Sequence, residues 1–119
     1  MSALDRTCLE RLAHDVASHP FMVTFAEKYR LLLPQRIRRV LAALAEGDLE
    51  AALDAALSLR VASAYVGALE LVEIARHLES HLRTGDLTGA VVRAGTMDAA
   101  AHRTELALST YLAELALAA

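Results

Sequence analysis

Apolar residues recur at spacings of three and four along most of the chain, and the breaks in that rhythm divide it into helices. Thr7-Cys8-Leu9-Glu10 has the T-x-x-E form of a capping box, in which two side chains satisfy the free N–H groups of a helix start. Leu9, Leu12, Ala13 and Val16 follow as a short apolar stripe. His19-Pro20 is expected to end this helix, because the residue before a proline is pushed out of the α region, while the proline itself suits the first turn of the next. The second helix, Phe21 to Ala45, carries Phe21, Phe25, Tyr29, Leu32, Leu33, Ile37, Val40, Leu41 and Leu44 as one broad buried face. Pro34 inside it removes one hydrogen bond and is expected to kink it.

Two nearly matching signals come next, Glu46-Gly47-Asp48-Leu49 and Thr84-Gly85-Asp86-Leu87. Each places glycine at a helix C-terminus and aspartate at the next N-cap, which reads as a tight turn between helices. The segment they bracket must itself turn back, and Tyr65-Val66-Gly67 is its internal break. This predicts a third helix from about Leu49 to Ala64 and a fourth from about Ala68 to Arg83. A final helix runs from Leu87 towards Leu117, with Val91, Ala94, Ala101, Leu108, Leu112 and Leu115 as core candidates and Gly89 and Gly95 weakening its first turns. The expected architecture is all-α: an up-down-up-down four-helix bundle with a short N-terminal capping helix.

Composition agrees with this picture. The chain has 119 residues, 55% of them hydrophobic and only 4% aromatic, with two prolines and five glycines, which favours helix over sheet. Residues 1–119 are expected to form one domain. No run approaches the roughly 20 apolar residues of a spanning helix, and Met1 to Arg6 lacks a basic segment followed by an apolar one, so neither membrane nor secretion is expected and the cytoplasm is the default. The net charge of −3 offers no general attraction to nucleic acid. Arg36, Arg38 and Arg39 read as a solvated helix face, and the lone Cys8 as a small hydrophobe packed on the first helix.

The run from Ala55 to Ala68, A-A-L-S-L-R-V-A-S-A-Y-V-G-A, carries the most specific pattern. It resembles the signature of histidine-containing phosphotransfer (HPt) domains, roughly A-H-x-L-K-G-S-S-x-x-x-G-A, with Leu57 where the family's histidine stands. Pro34-Gln35-Arg36-Ile37 and Leu41-Ala42-Ala43-Leu44 resemble the family's P-x-R-L and following L-x-x-A-L. Glu46-Gly47-Asp48 resembles its turn before the signature helix, and Leu78-Glu79 the L-E after it. The resemblance implies the same helical bundle and a role in a phosphorelay, where the histidine passes a phosphoryl group between receiver domains.

Winding residues 49 to 66 at about 100° per residue places Ala52, Ala56, Leu59, Ser63 and Val66 on a core stripe. Glu50, Asp54, Leu57, Val61 and Ala64 fall on the opposite side. Leu57 has no imidazole lone pair to accept a phosphoryl group, and Val61 fills the space where the family has a glycine, so restoring the histidine alone would give a slow acceptor. Arg60 replaces the family's lysine and keeps a positive charge for an acidic partner pocket. Ser63 is expected inward, back-bonding to a carbonyl one turn earlier. The expected docking residues are therefore Asp54, Leu57, Arg60, Val61 and Ala64, with a receiver domain or histidine kinase as partner, no cofactor and no catalytic group.

Two alternatives stay open. His77 and His81, spaced four apart on the fourth helix, offer a different phosphoacceptor or, formally, a metal pair, with Glu70, Glu73 and Glu79 nearby reading as a charged surface. His14, His19 and His102 are isolated. Otherwise the Leu57/Val61 face joins two copies of the chain as a helical scaffold, or is buried by the N-terminal helix. No serine–histidine–acid order or glycine-rich phosphate loop points to a conventional enzyme.

Overall fold

A computed structural model describes residues 3–15 and 19–118, and all regular structure among them is helical. The elements are α1 (Arg6–Asp15), α2 (His19–Ala45), α3 (Leu49–Val66), α4 (Leu69–Arg83), α5 (Leu87–Ala94) and α6 (Met97–Ala118). Helices α2, α3 and α4 and the α5–α6 pair form the four rods of the bundle, and α1 packs on α2 and α3. The predicted turns hold at side-chain level. Gly47 and Gly85 take positive φ of 68° and 73°, and the carboxylates of Asp48 and Asp86 accept from the N–H groups of Ala51 and Gly89 at 3.0 and 2.8 Å.

The start of α1 differs from the expected capping box. Asp5, not Thr7, occupies the cap: its carboxylate accepts from the Thr7 N–H at 3.0 Å and from the Thr7 hydroxyl, which leaves the threonine inside the first turn. These bonds hold the exposed Asp5 carboxyl below its usual pKa. Aspartate wins because a charged oxygen accepts a more favourable bond from the positive helix end than a hydroxyl does. Cys8 is half-buried, as its reading as a small packed residue required. Helix α1 is described as far as Asp15 and α2 from His19, so that the expected Val16 and the segment joining the two helices lie outside the described residues.

Helix α2 runs unbroken through Pro34. Its buried face is Met22, Ala26, Tyr29, Leu33, Ile37, Val40, Ala43 and Leu44. Phe21 and Leu41, predicted in that face, are 49% and 38% exposed, because a face that includes both neighbours of every core row is wider than two flanking helices cover. The third helix runs two residues past Ala64, to Val66, where Gly67 closes it at φ 79°. That glycine is required twice over, since an added Cβ would lie 2.3 Å from the Asp5 carbonyl oxygen. The Gly67 carbonyl in turn accepts from the Asp5 N–H at 2.6 Å, which pins the segment before α1 onto the α3–α4 turn.

The final helix is divided. At Gly95-Thr96 the backbone tightens: Gly95 N–H is shared between the carbonyls of Val91 and Val92, and both the N–H and the hydroxyl of Thr96 donate to the Arg93 carbonyl, at 3.1 and 2.7 Å. The threonine hydroxyl competes with the helix ladder and stops it. The core row keeps its helical spacing across this break through Ala90, Ala94, Met97, Ala100, Thr104 and Leu108, so that Ala94 is buried as expected while Val91, also expected inside, is 51% exposed. Leu108 and Leu112 are buried as expected, and Ala101 and Leu115 pack at the edge of the core. Arg6 ties α1 to α6 through an ion pair with Glu114 at 2.7 Å and a stack over Tyr111.

Candidate functional site

Helix α3 has two faces of opposite character. Ala52, Ala55, Ala56, Leu59, Ser63 and Val66 are buried, and the small side chains among them let α3 approach both α2 and α4. Ser63 is inward as expected, but its partner is across the bundle rather than one turn back. Its Oγ and the Tyr29 hydroxyl of α2 lie 2.7 Å apart, fully buried. A phenol that reaches the serine satisfies both hydroxyls at once, which local back-bonding does not. Burial pushes the Tyr29 phenol up to about 12, so it stays protonated.

The outward face holds the predicted residues together. Leu57 and Val61 are 40% and 43% exposed, one turn apart in the middle of the helix, with Asp54 and Ala64 exposed beside them. Helix α1 does not cover them. Tyr65, which the sequence reading assigned to the turn, continues the same row at 60% exposed and meets Phe25 of α2 edge-on, with ring centroids 6.1 Å apart. Its position four residues after Val61 was the available signal, since side chains at i and i+4 share a face. Beside Val61, Ala62 borders a small hollow with Phe25, Leu32, Lys28 and Arg36, whose guanidinium lies 6.0 Å from the Tyr29 ring centroid. The apolar stripe is thus edged by two cations on the α2 side.

On the α4 side the edge is Arg60, and its circumstances differ from those the sequence suggested. Its Nε donates to Glu79 at 2.6 Å and its second nitrogen lies 3.4 Å from the other carboxylate oxygen. Glu79, read from sequence as part of a charged surface, is buried at 2% exposure and also faces Arg83 at 3.7 Å. A carboxylate is driven inside only with such a partner, so Arg60 spends its fork on the bundle. Its half-hidden charge, with a side chain 30% exposed, is already balanced.

None of the histidines is on α3, and the side chain of His19 lies outside the described residues. His77 is exposed on α4, and His81 near the end of α4 sets Nδ1 3.0 Å from the Asp86 carboxylate. That bond and the Gly89 N–H hold Asp86 below its usual pKa, the N–H contributing most. His14 and His102 are exposed and distant in sequence from either. Among the described residues no three His, Cys, Asp or Glu side chains are grouped to hold a metal ion, and no helix is long and apolar enough to cross a membrane.

No known family model matches the chain, and no curated protein matches it. A solved structure does. The chain superposes on the crystal structure of histidine-containing phosphotransfer protein B (HptB) from Pseudomonas aeruginosa PAO1 with a TM-score of 0.85, at 23% identity, over 94% of this chain and 96% of that one. The fold is therefore the helical bundle of a histidine-containing phosphotransfer protein, nearly end to end.

Proposed function

We propose that this protein is a phosphotransfer-like binding module that docks a receiver domain or a histidine kinase through α3 without carrying phosphate. The observation that carries the reading is the exposed Leu57/Val61 pair at the centre of α3, on the face where the resembling signature has its histidine and glycine. Leucine supplies no lone pair to phosphorus, and valine blocks the in-line approach of an aspartyl phosphate. Both changes remove chemistry and add apolar contact area, the combination found at the desolvated centre of a protein interface. Tyr65 and Phe25 extend that centre, and Asp54, Ala64, Lys28 and Arg36 form its rim. Such a module acts by occupancy, competing with true phosphotransfer domains for a shared partner.

The test is binding of the full chain to the receiver domains encoded in its own genome, each with and without beryllofluoride as phosphoryl mimic. Micromolar binding to one receiver, weakened at least about tenfold by Leu57→Glu, supports the reading. Binding to no receiver, or binding indifferent to Leu57, overturns receiver docking and moves the search to kinase contacts or self-association. A second reading has one observation behind it: Asp86 holds Nδ1 of His81, which orients the ring as an acceptor histidine requires. Acid-labile phosphate on the protein, lost in His81→Gln, would establish that reading instead.

A further inference from the structure

We infer that the groove between α2 and α6 is the seat of a second copy of this chain, joined about a two-fold axis. Helix α2 already gives one apolar face to the core, yet it carries a second row, Leu31, Pro34, Arg38 and Leu41, at spacings of three, four and three. That is the rhythm by which one helix meets another, side chain into hollow. All four are exposed, Leu31 at 80%. They edge a groove of about 780 Å³ whose far wall is α6, where Ala101 leaves room. A projecting leucine and a hollow on the same surface satisfy the condition for a two-fold contact, in which one patch must complement itself.

The charges make the same point. Arg30 in this groove is fully engaged, to Glu105 of α6 and to Glu27. Arg38 on the α2 wall and Asp98 on the α6 wall have no ion-pair partner among the described residues. One free cation and one free anion on opposite walls select neither an anionic nor a cationic ligand. They do match a second copy, because an axis that brings Arg38 to the other copy's Asp98 brings the reverse pair with it. No α3 residue lines the groove, so the dimer leaves the Leu57/Val61 face open, and the inference stands whether or not that face docks a receiver.

Sedimentation equilibrium of the full chain reads it directly. The expected result is a mass that rises with concentration towards twice 12.8 kDa. Arg38→Glu and Asp98→Arg alone should each weaken association about tenfold or more, since symmetry doubles every lost pair, and the combined variant should recover to within about threefold of the parent. Leu31→Glu should abolish the dimer and Leu57→Glu should leave it intact, with circular dichroism confirming helicity in each variant. A monomer at every concentration up to about 1 mM overturns the inference. So does a combined charge swap no better than the single changes, or a dimer that only Leu57→Glu disrupts.

Discussion

Replacing Arg60 by methionine keeps the length of the side chain and removes its guanidinium, which isolates the carboxylate of Glu79. That carboxylate is 3% exposed and now sits 2.6 Å from Arg60 Nε. Unit charges about 4 Å apart attract by about 4 kcal/mol at an effective dielectric of about 20, while burying the carboxylate costs several kcal/mol. The pair is therefore close to neutral as a unit, but each half is expensive alone. Arg83, at 3.7 Å and 64% exposed, recovers part of the loss. We expect Arg60→Met to destabilise by about 2–4 kcal/mol, a large part of the 5–15 kcal/mol that holds a domain of this size. The double variant Arg60→Met/Glu79→Met should fall within about 1 kcal/mol of the parent, giving a coupling of about 2–3 kcal/mol. Urea unfolding of the four proteins at pH 7, with slopes compared to check two-state behaviour, measures it. A single variant within about 0.5 kcal/mol of the parent, or a double variant as unstable as the sum of the singles, refutes the reasoning.

Three further outcomes follow from the packing. Gly67→Ala should cost about 2–4 kcal/mol, combining left-handed strain with a Cβ driven into the Asp5 carbonyl, whereas Gly47→Ala, at positive φ in open space, should cost only about 1 kcal/mol; equal urea midpoints would sink the argument. Ser63→Ala strands the buried Tyr29 hydroxyl and should cost about 1–3 kcal/mol, and Tyr29→Phe on top of it should restore part of that, which a thermodynamic cycle resolves. The Arg30 guanidinium holds the Glu105 carboxyl below its ordinary 4.5, so its contribution is complete above that pH and is lost as pH falls through the lower folded value. The melting temperature should therefore drop on acidification below 4.5, less steeply in Glu105→Gln, and an unchanged slope in that variant excludes this pair as a cause.

What was legible in the sequence was mostly what a single helix decides for itself. Asp48 and Asp86 as caps, Gly47 and Gly85 as turns, and the two faces of α3 all follow from residues within one or two turns of each other. The Asp5 cap was a misreading within one turn, but the two at α3 and α4 arise where a partner from another part of the chain enters. Tyr29 captures Ser63 from α2, Arg60 draws Glu79 inside from α3, and neither spacing within α3 or α4 announces the other helix. Val91 failed locally: the smaller Ala90, four residues before the buried Ala94, takes the core position, and the valine beside it is turned outward. At the candidate site, Leu57, Val61, Asp54 and Ala64 lie on one exposed face as the wheel required, while Tyr65 was missed because the helix was ended two residues too early.

The division of α3 into independent faces explains how such a bundle keeps its shape while its outer row changes. The contacts that order α3 against α2 and α4 come chiefly from the buried alanines, Leu59, Ser63 and Val66, from Arg60 reaching sideways to Glu79, and from the Tyr65 ring against Phe25. Leu57 and Val61 take no part in these contacts, and exchanges at half-exposed helix positions change stability by little compared with core substitutions. A histidine and a leucine at position 57 are therefore expected to differ little in folding cost. Arg60 is different. Its charge is spent on the buried carboxylate, so an acidic partner meets a neutralised pair on the α4 side of the stripe and uncompensated cations only at Lys28 and Arg36 on the α2 side. If α3 docks a partner as proposed, that partner is expected to be drawn towards α2, with the affinity resting on the apolar row from Leu57 to Tyr65 more than on charge.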